Sequence, residues 1–215
     1  MKILNLYAGL GGNRKLWGDS HEITAVEMEP KIAEVYAQQF PKDNLIIGDA
    51  HEYLLKNYEN FDFIWSSPPC QTHSKMMKAT RHKKKRFTKM ELYQEIIFLQ
   101  NFFKGGFVVE NVTPYYKPLI DPTFKIGRHL FWANFQIQSF KEPKFKNFIN
   151  AGNTEETEKL KKWLGINYEG NIYYKNNHCP GQVLRNCVHP KTGENILNSY
   201  LKKNKLDNAN QTELF

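Results

Sequence analysis

The sequence has no hydrophobic run long enough to cross a bilayer. Its longest apolar stretches, Ile3 to Leu10 and Phe61 to Trp65, are strand-sized, against the ~20 residues a membrane helix needs. Cysteine is scarce: the 215 residues include only Cys70, Cys179 and Cys187. So odd and sparse a set argues against a disulfide framework. Zinc does not fit either. No Cys-x-x-Cys spacing occurs, and the adjacent His178 and Cys179 have no second pair to complete four ligands, so no metal is expected. Acids are in deficit, 22 against 30 Lys and Arg, giving a formal net charge of +8. That surplus favours polyanionic partners, although it speaks to steering and solubility rather than fold. After Met1 and Lys2 the chain runs straight into a strand pattern without a signal-peptide cleavage site, so a cytoplasmic protein is expected.

Hydrophobic residues make up 40% of the chain, enough for a globular core. The first half alternates strand and helix patterns. Lys2 to Tyr7 reads as a strand ending in the turn Gly9-Leu10-Gly11-Gly12. His21 to Glu27 reads as a second strand, and Pro30 opens a helix reaching about Gln39. Leu45 to Gly48 is a third strand followed by Asp49, with helical residues from His51 to Tyr58. Phe61 to Ser66 is a fourth strand running into Ser67-Pro68-Pro69-Cys70. Met90 to Phe103 is an amphipathic helix, and Gly106 to Glu110 a fifth strand. Such alternation predicts an α/β fold with a mostly parallel central sheet and helices on both faces. In the second half, Leu130 to Ser139 is expected to form antiparallel strands and Lys141 to Asn153 a loop. Thr154 to Leu164 is expected as a helix, Asn167 to Pro180 is nearly patternless, and Gly193 to Lys203 is a final helix before a frayed tail.

Chemistry-bearing residues recur at one place in this pattern. Ligands of a parallel sheet bind beyond the carboxyl ends of its strands, where glycines let backbone approach closely and a helix start offers free N–H groups. Glu27 ends the second strand, where an acid accepts hydrogen bonds from a ribose diol. Asp49 follows the third, where an acid can hold an adenine amine. Taken singly, each is more often a surface or helix-capping acid; in order along one sheet edge they describe a nucleoside pocket. Two prolines stiffen the turn that carries Cys70. A free cysteine is commonly a small buried hydrophobe, but a rigid turn at the active edge is a poor place to hide one. The fifth strand should lie beside the fourth, which brings Glu110 near Cys70, a thiol nucleophile and a carboxylate suited to attack on an electron-poor ring. Lys75, Lys78, Arg81, Lys83, Lys84, Lys85, Arg86 and Lys89 follow with no intervening acid. A charge run is often only a solvated loop; directly after Cys70 it would grip phosphates.

Taken together, Leu6-Tyr7-Ala8-Gly9-Leu10-Gly11-Gly12, Val26-Glu27-Met28-Glu29-Pro30, Gly48-Asp49-Ala50, Pro68-Pro69-Cys70-Gln71 with Ser74, and Glu110-Asn111-Val112 resemble the cytosine-5 DNA methyltransferase family, in the family's order. The resemblance implies a Rossmann-like fold dependent on S-adenosyl-L-methionine (AdoMet). It implies cofactor contacts from Tyr7, Ala8, Gly9, Gly11, Gly12, Glu27, Met28, Asp49, Ala50 and Pro69. It implies catalysis by Cys70 and Glu110 on a cytosine flipped out of the stack. It also implies DNA contacts from Gln71, Ser74, Lys75, Lys78, Arg81, Lys83, Lys84, Lys85 and Arg86. Gln182 to Pro190 resembles the family's last motif and adds Asn186 and Val188 as a closing wall of the cofactor pocket.

The sequence departs from the family at several points. Asn5 stands where an acid is usual, and Ser67 and Arg185 each replace a glycine. The family's Gln-x-Arg-x-Arg motif is reduced to Gly127-Arg128-His129-Leu130-Phe131-Trp132, where Arg128 is assigned to holding the base. Four regions are expected: an AdoMet-binding catalytic core at 1–135, a reduced target-recognition region at 136–180, a returning motif and helix at 181–205, and a flexible tail at 206–215. So short a recognition region offers few side chains to base edges. A short target in double-stranded DNA is therefore expected, or specificity supplied by a protein partner, with the enzyme itself a monomer from a prokaryotic cell or a phage-infected host. RNA as substrate and a non-catalytic basic DNA-binding module remain as alternatives. An amino-group methyltransferase is disfavoured, because Cys70 occupies the place where a stacking aromatic would be wanted.

Overall fold

The computed structural model describes residues 1–75, 77, 87–145, 154–174 and 179–212. Its strands are β1 (Lys2–Leu6), β2 (Glu22–Glu27), β3 (Asn44–Ile47), β4 (Phe63–Ser66), β5 (Gly106–Val112), β6 (Phe124–Ile126) and β7 (His129–Ala133). The helices described are α1 (Pro30–Gln39), α2 (Ala50–Asn57), α3 (Glu91–Phe102), α4 (Thr154–Leu164), α5 (Gln182–Arg185) and α6 (Pro190–Thr212), with a 3-10 turn at Tyr58–Asn60. One sheet runs β3-β2-β1-β4-β5-β7-β6. β1 to β5 are mutually parallel, and β7 lies antiparallel to both β5 and β6.

The central strands are buried along nearly their whole length, as expected where helices cover both faces of a parallel sheet. Alternation along each strand divides the core in two. Leu4, Leu6, Ile64 and Val109 face α2 and α3, meeting Leu54, Leu92, Ile96 and Leu99. Ile3, Phe63, Trp65 and Val108 face the other way onto Ile196, Leu197 and Tyr200 of α6. A third cluster joins Ile32 and Val35 of α1 to Leu160 and Leu164 of α4 and to Ile166, Tyr168 and Ile172. Strand order reverses between β1 and β4, so the crevice at their carboxyl ends lies between the glycine turn and the Pro-Pro-Cys turn.

The structure corrects several expected elements. The antiparallel segment after Arg128 ends at Ala133, and residues up to Ser139 run on without strand pairing. β6 was not expected; its three residues are too few to display a period. The final helix is longer at both ends than Gly193 to Lys203, and its last turns overlap the tail expected from residue 206. The helix expected at Thr154 to Leu164 is present. No helix among the described residues is long and apolar enough to cross a membrane.

The final helix comes close to the turn after β1 at Gly193. A Cβ there would lie 2.0 Å from the carbonyl oxygen of Asn13, so only glycine lets α6 rest on the turn after β1. Gly193→Ala should therefore destabilise the fold by about 1–3 kcal/mol through overpacking, despite the ~1 kcal/mol gain in helix propensity. Urea denaturation of the two proteins checks this; an unchanged or raised midpoint would refute it.

Candidate active site

A cavity of about 260 Å³ opens at the carboxyl ends of the strands. Tyr7 to Leu10, Glu27, Met28, Asp49 and Ala50 line one part of it, and Ser67 to Gln71, Glu110, Arg128 and His129 line another. Val183 and Arg185 to Val188 close it from the C-terminal side. Of the cofactor residues expected, all but Gly11 line this cavity. Gly11 sits behind the turn at φ +75°, and a Cβ there would lie 2.2 Å from Cε2 of Phe40. Its Cβ position thus faces the ring of Phe40 at the end of α1.

The turn after β1 is held in an unusual shape. Tyr7 has φ +56°, costly for a side chain with a Cβ, and its hydroxyl donates to Glu95 Oε1 at 2.6 Å. Gly9 also has φ +56°, and a Cβ there would meet only the Tyr7 carbonyl at 3.9 Å, so the space before it is open to a ligand. The Gly9 N–H donates to Glu27 Oε2 and the Glu29 N–H to Oε1, both at 2.9 Å, which fixes the carboxylate plane at the pocket wall. Asp49 both lines the cavity and caps α2, its Oδ1 accepting from the Glu52 N–H at 2.9 Å. Gly12 brings the C-terminal wall in: a Cβ there would lie 2.5 Å from the Val188 carbonyl. Backbone amides, two carboxylates and apolar walls (Ile32, Ala50, Val183, Val188) suit a nucleoside with a zwitterionic tail, so this donor set fits AdoMet.

The Pro-Pro-Cys turn is fastened from below. Asn111 of β5, fully buried, donates from Nδ2 to the Pro68 carbonyl at 2.9 Å, while its Oδ1 accepts from the Val112 N–H at 3.0 Å. Ser67 accepts from Trp65 Nε1 at 2.9 Å, which gives this departure from glycine a partner. The Cys70 carbonyl accepts from the N–H groups of His73 and Ser74, each at 3.0 Å. Parallel pairing of β4 with β5 then carries Glu110 to the same end of the sheet. Burial pushes the Cys70 thiol up to about 11, and the Glu110 charge adds to this while Arg128 opposes it. Glu110 is nearly buried, and its Oε1 lies 2.7 Å from His129 Nδ1. Arg128 reaches across the cavity and donates from Nη2 to the Arg185 carbonyl.

Arg185 needs no left-handed backbone, because it ends the short helix α5 and Asn186 follows in right-handed helical geometry. Asn186 Nδ2 donates to the Tyr174 hydroxyl at 3.1 Å, and its Oδ1 accepts from Gln182 Nε2 at 2.8 Å. Burial pushes the Tyr174 phenol up to about 12. Of the expected nucleic-acid residues, Gln71 lines the cavity and is exposed, Lys75 is exposed outside it, and Ser74 bridges to Pro114. Lys78, Arg81, Lys83, Lys84, Lys85 and Arg86 lie outside the described residues. The far end of that basic segment returns to the same place: the Lys89 N–H donates to Thr72 Oγ1 at 3.1 Å, and Lys89 lines the cavity.

Glu95 and His129 escaped the reading of the sequence. Glu95 is completely buried on α3 and accepts from Tyr7 and from Ser66 Oγ, with His51 Nδ1 at 3.0 Å. One carboxylate thus joins the glycine turn, the end of β4 and the start of α2. It also holds the His51 proton more tightly than usual, and it adds to the burial that keeps the Tyr7 phenol far above its usual range. An acid on the stripe formed by Leu92, Ile96 and Leu99 was the available signal.

The family model for C-5 cytosine-specific DNA methylase matches residues 1–127. The chain belongs to that family. Its sheet is the Rossmann-like fold of AdoMet-dependent methyltransferases. Curated relatives include the tRNA (cytosine(38)-C(5))-methyltransferase of Spodoptera frugiperda, 36% identical over 77 residues, which are 33% of this chain and 23% of that protein. The Homo sapiens protein of the same name is 28% identical over 82 residues, 35% of this chain and 21% of that one. The chain therefore spans under a quarter of the length of these relatives. A solved structure of a Spodoptera frugiperda DNMT2 mutant is 29% identical over 52% of this chain and 35% of its own, with a TM-score of 0.38.

A thiol with a value near 11 is almost wholly protonated at neutral pH. Iodoacetamide alkylation of Cys70, followed by peptide mass spectrometry, should accelerate about tenfold per pH unit from pH 8 to 10, because only the thiolate reacts. In Glu110→Gln, which removes a charge that raises the value, the same rates should appear at lower pH. A wild-type rate that levels off by pH 8 would contradict this electrostatic account.

Proposed function

We propose that the chain is a DNA (cytosine-5)-methyltransferase that uses AdoMet. The observation that carries this is the convergence of Cys70 and Glu110 on one cavity whose other part is lined by the glycine turn, Glu27 and Asp49. AdoMet when bound supplies the methyl group for carbon 5 of the base. Glu27 would hold its ribose hydroxyls, Asp49 its adenine amine, and the Gly9 turn and the Asn186 to Val188 wall its remaining surface.

The protein's own groups prepare the base. A target cytosine must leave the stack to reach so enclosed a thiol. The Cys70 sulfur, as thiolate, adds to carbon 6. The C5=C6 electron pair moves between C4 and C5, and the C4=N3 pair moves onto N3. Glu110 donates a proton to N3 and accepts from the exocyclic amine, which stabilises the charge as it develops. Carbon 5 is then the nucleophilic atom of an enamine. After methylation a water molecule takes the carbon-5 proton, the C5–H pair re-forms the C5=C6 bond, the C6–S bond breaks to release the Cys70 thiolate, and the N3 proton returns to Glu110. Arg128, between Cys70 and the C-terminal wall, favours the anionic forms on its side of the cavity.

Double-stranded DNA would be gripped by the basic segment beginning at Lys75 and returning at Lys89. Residues 136–180 serve as a reduced recognition region, which favours a short target or a specificity partner. We expect a monomer in the cytoplasm of a prokaryote or an infected host. RNA is the second reading, supported by curated relatives that are named as tRNA methyltransferases.

Methyl transfer from labelled AdoMet to duplex DNA and, in parallel, to tRNA tests the proposal, with nucleoside mass spectrometry as readout. 5-Methylcytosine should appear in DNA, and Cys70→Ala should lower its rate by about 10⁴-fold or more, as loss of a covalent nucleophile does. Product confined to tRNA would transfer the proposal to RNA. No product in either, with AdoMet still bound, would leave a binding module.

A further inference from the structure

We infer that His129 is the positioning residue for Glu110: a neutral imidazole whose Nδ1–H holds Oε1 and stabilises the carboxylate that forms when Glu110 gives its proton to the base. The inference rests on the cytosine-5 transfer proposed above. Neither composition nor motif assigned this residue a part; the structure makes it the contact partner of the acid.

The geometry is specific. In the antiparallel register of β5 with β7, Glu110 stands opposite Phe131 and Val112 opposite His129. Glu110 and His129 are therefore diagonal neighbours on one face of the sheet, a spacing that long side chains bridge. Their polar atoms are 2.7 Å apart, with the side chains 8% and 6% exposed. The imidazole lies nearly parallel to the Phe131 ring, centroids 6.4 Å apart and planes 18° from each other. That contact and the strand backbone fix the ring plane. Both residues line the cavity, so the pair sits at its wall rather than in the core beneath.

The chemistry asks for such a partner. To stabilise charge on N3, Glu110 must donate, and a carboxylate donates only when protonated. Its Oε2, the oxygen His129 does not hold, is the one that carries the proton to N3. As S–C6 forms, that O–H bond breaks, an N3–H bond forms and Glu110 becomes an anion in a nearly dry wall. A charge-assisted N–H bond from His129 to Oε1 is strongest at that moment. It therefore favours the adduct over the free base, and the proton returns to Oε2 when the thiolate leaves. The other ionisable groups around the pair are Cys70, which Glu110 and Arg128 both influence, and Arg128 itself, which also feels Glu142 and Cys187.

Two measurements test this. In protein labelled with 15N-histidine, His129 should show a protonated Nδ1 at neutral pH with a downfield, slowly exchanging proton. That signal should vanish in Glu110→Ala. A deprotonated Nδ1, or a signal indifferent to Glu110→Ala, would overturn the pairing whether or not the chain methylates anything. In methyl-transfer assays, His129→Leu should lower kcat by about 10²–10³-fold, the loss typical of a stabilising donor, with KM for AdoMet changed less than about threefold. His129→Asn, whose amide nitrogen falls near the Nδ1 position, should recover at least about tenfold of that loss. A Leu variant within threefold of wild type, or an Asn variant no better than Leu, would overturn the role. If wild type makes no 5-methylcytosine in DNA or RNA, the functional proposal falls, and the resonance experiment alone decides the pairing.

Discussion

The site depends on one buried hydrogen bond, from the Asn111 side chain to the Pro68 carbonyl. Two prolines leave the turn that carries Cys70 without N–H groups of its own at Pro68 and Pro69, so its carbonyls need partners from elsewhere. Asn111 supplies one from the strand that also carries Glu110. The residue that fixes the thiol's turn and the residue proposed to handle the base proton are thus consecutive in the chain. Because successive side chains in a strand point to opposite faces, Asn111 can reach under the turn while Glu110 meets the cavity. The distance from Cys70 to Glu110 is then set by strand pairing, which is far stiffer than a loop.

Around this clamp the charges favour a quiescent free protein. Burial and Glu110 both hold the Cys70 thiol in its protonated form, and Arg128 opposes them. Glu95 does comparable work for the cofactor side, joining Tyr7, Ser66 and His51 so that the strained turn at Tyr7 has a fixed anchor.

Much of this was legible in the sequence because it is local or periodic. β1, β4 and β5 read as strands because both their faces are covered and their runs are almost wholly apolar. The glycine turn, Glu27, Asp49 and the Pro-Pro-Cys turn were legible because a parallel sheet puts its ligand at one edge. The packing of Gly11 against Phe40 was not legible, because sequence shows a glycine but not which side of a turn its hydrogen faces. β6 and α5, of three and four residues, fall below the length at which a period can be seen. The partner of Glu110 was hidden for another reason. Arg128 and His129 are adjacent, and only the strand register tells which of them meets the acid. The role of Arg185 likewise turned on backbone shape, since a short helix removes the need for the glycine it replaces.

The most direct test of the central claim, that the clamped turn delivers Cys70 to carbon 6 of a cytosine beside Glu110, is covalent trapping. A duplex with 5-fluorocytosine in place of cytosine cannot lose the substituent at carbon 5, so an adduct formed in the presence of AdoMet persists. The account predicts a cross-linked species whose peptide map carries the nucleotide on Cys70, with yield strongly reduced in Asn111→Ala. A protein that methylates normal DNA yet gives no Cys70 adduct, or one trapped equally well without Asn111, would contradict it.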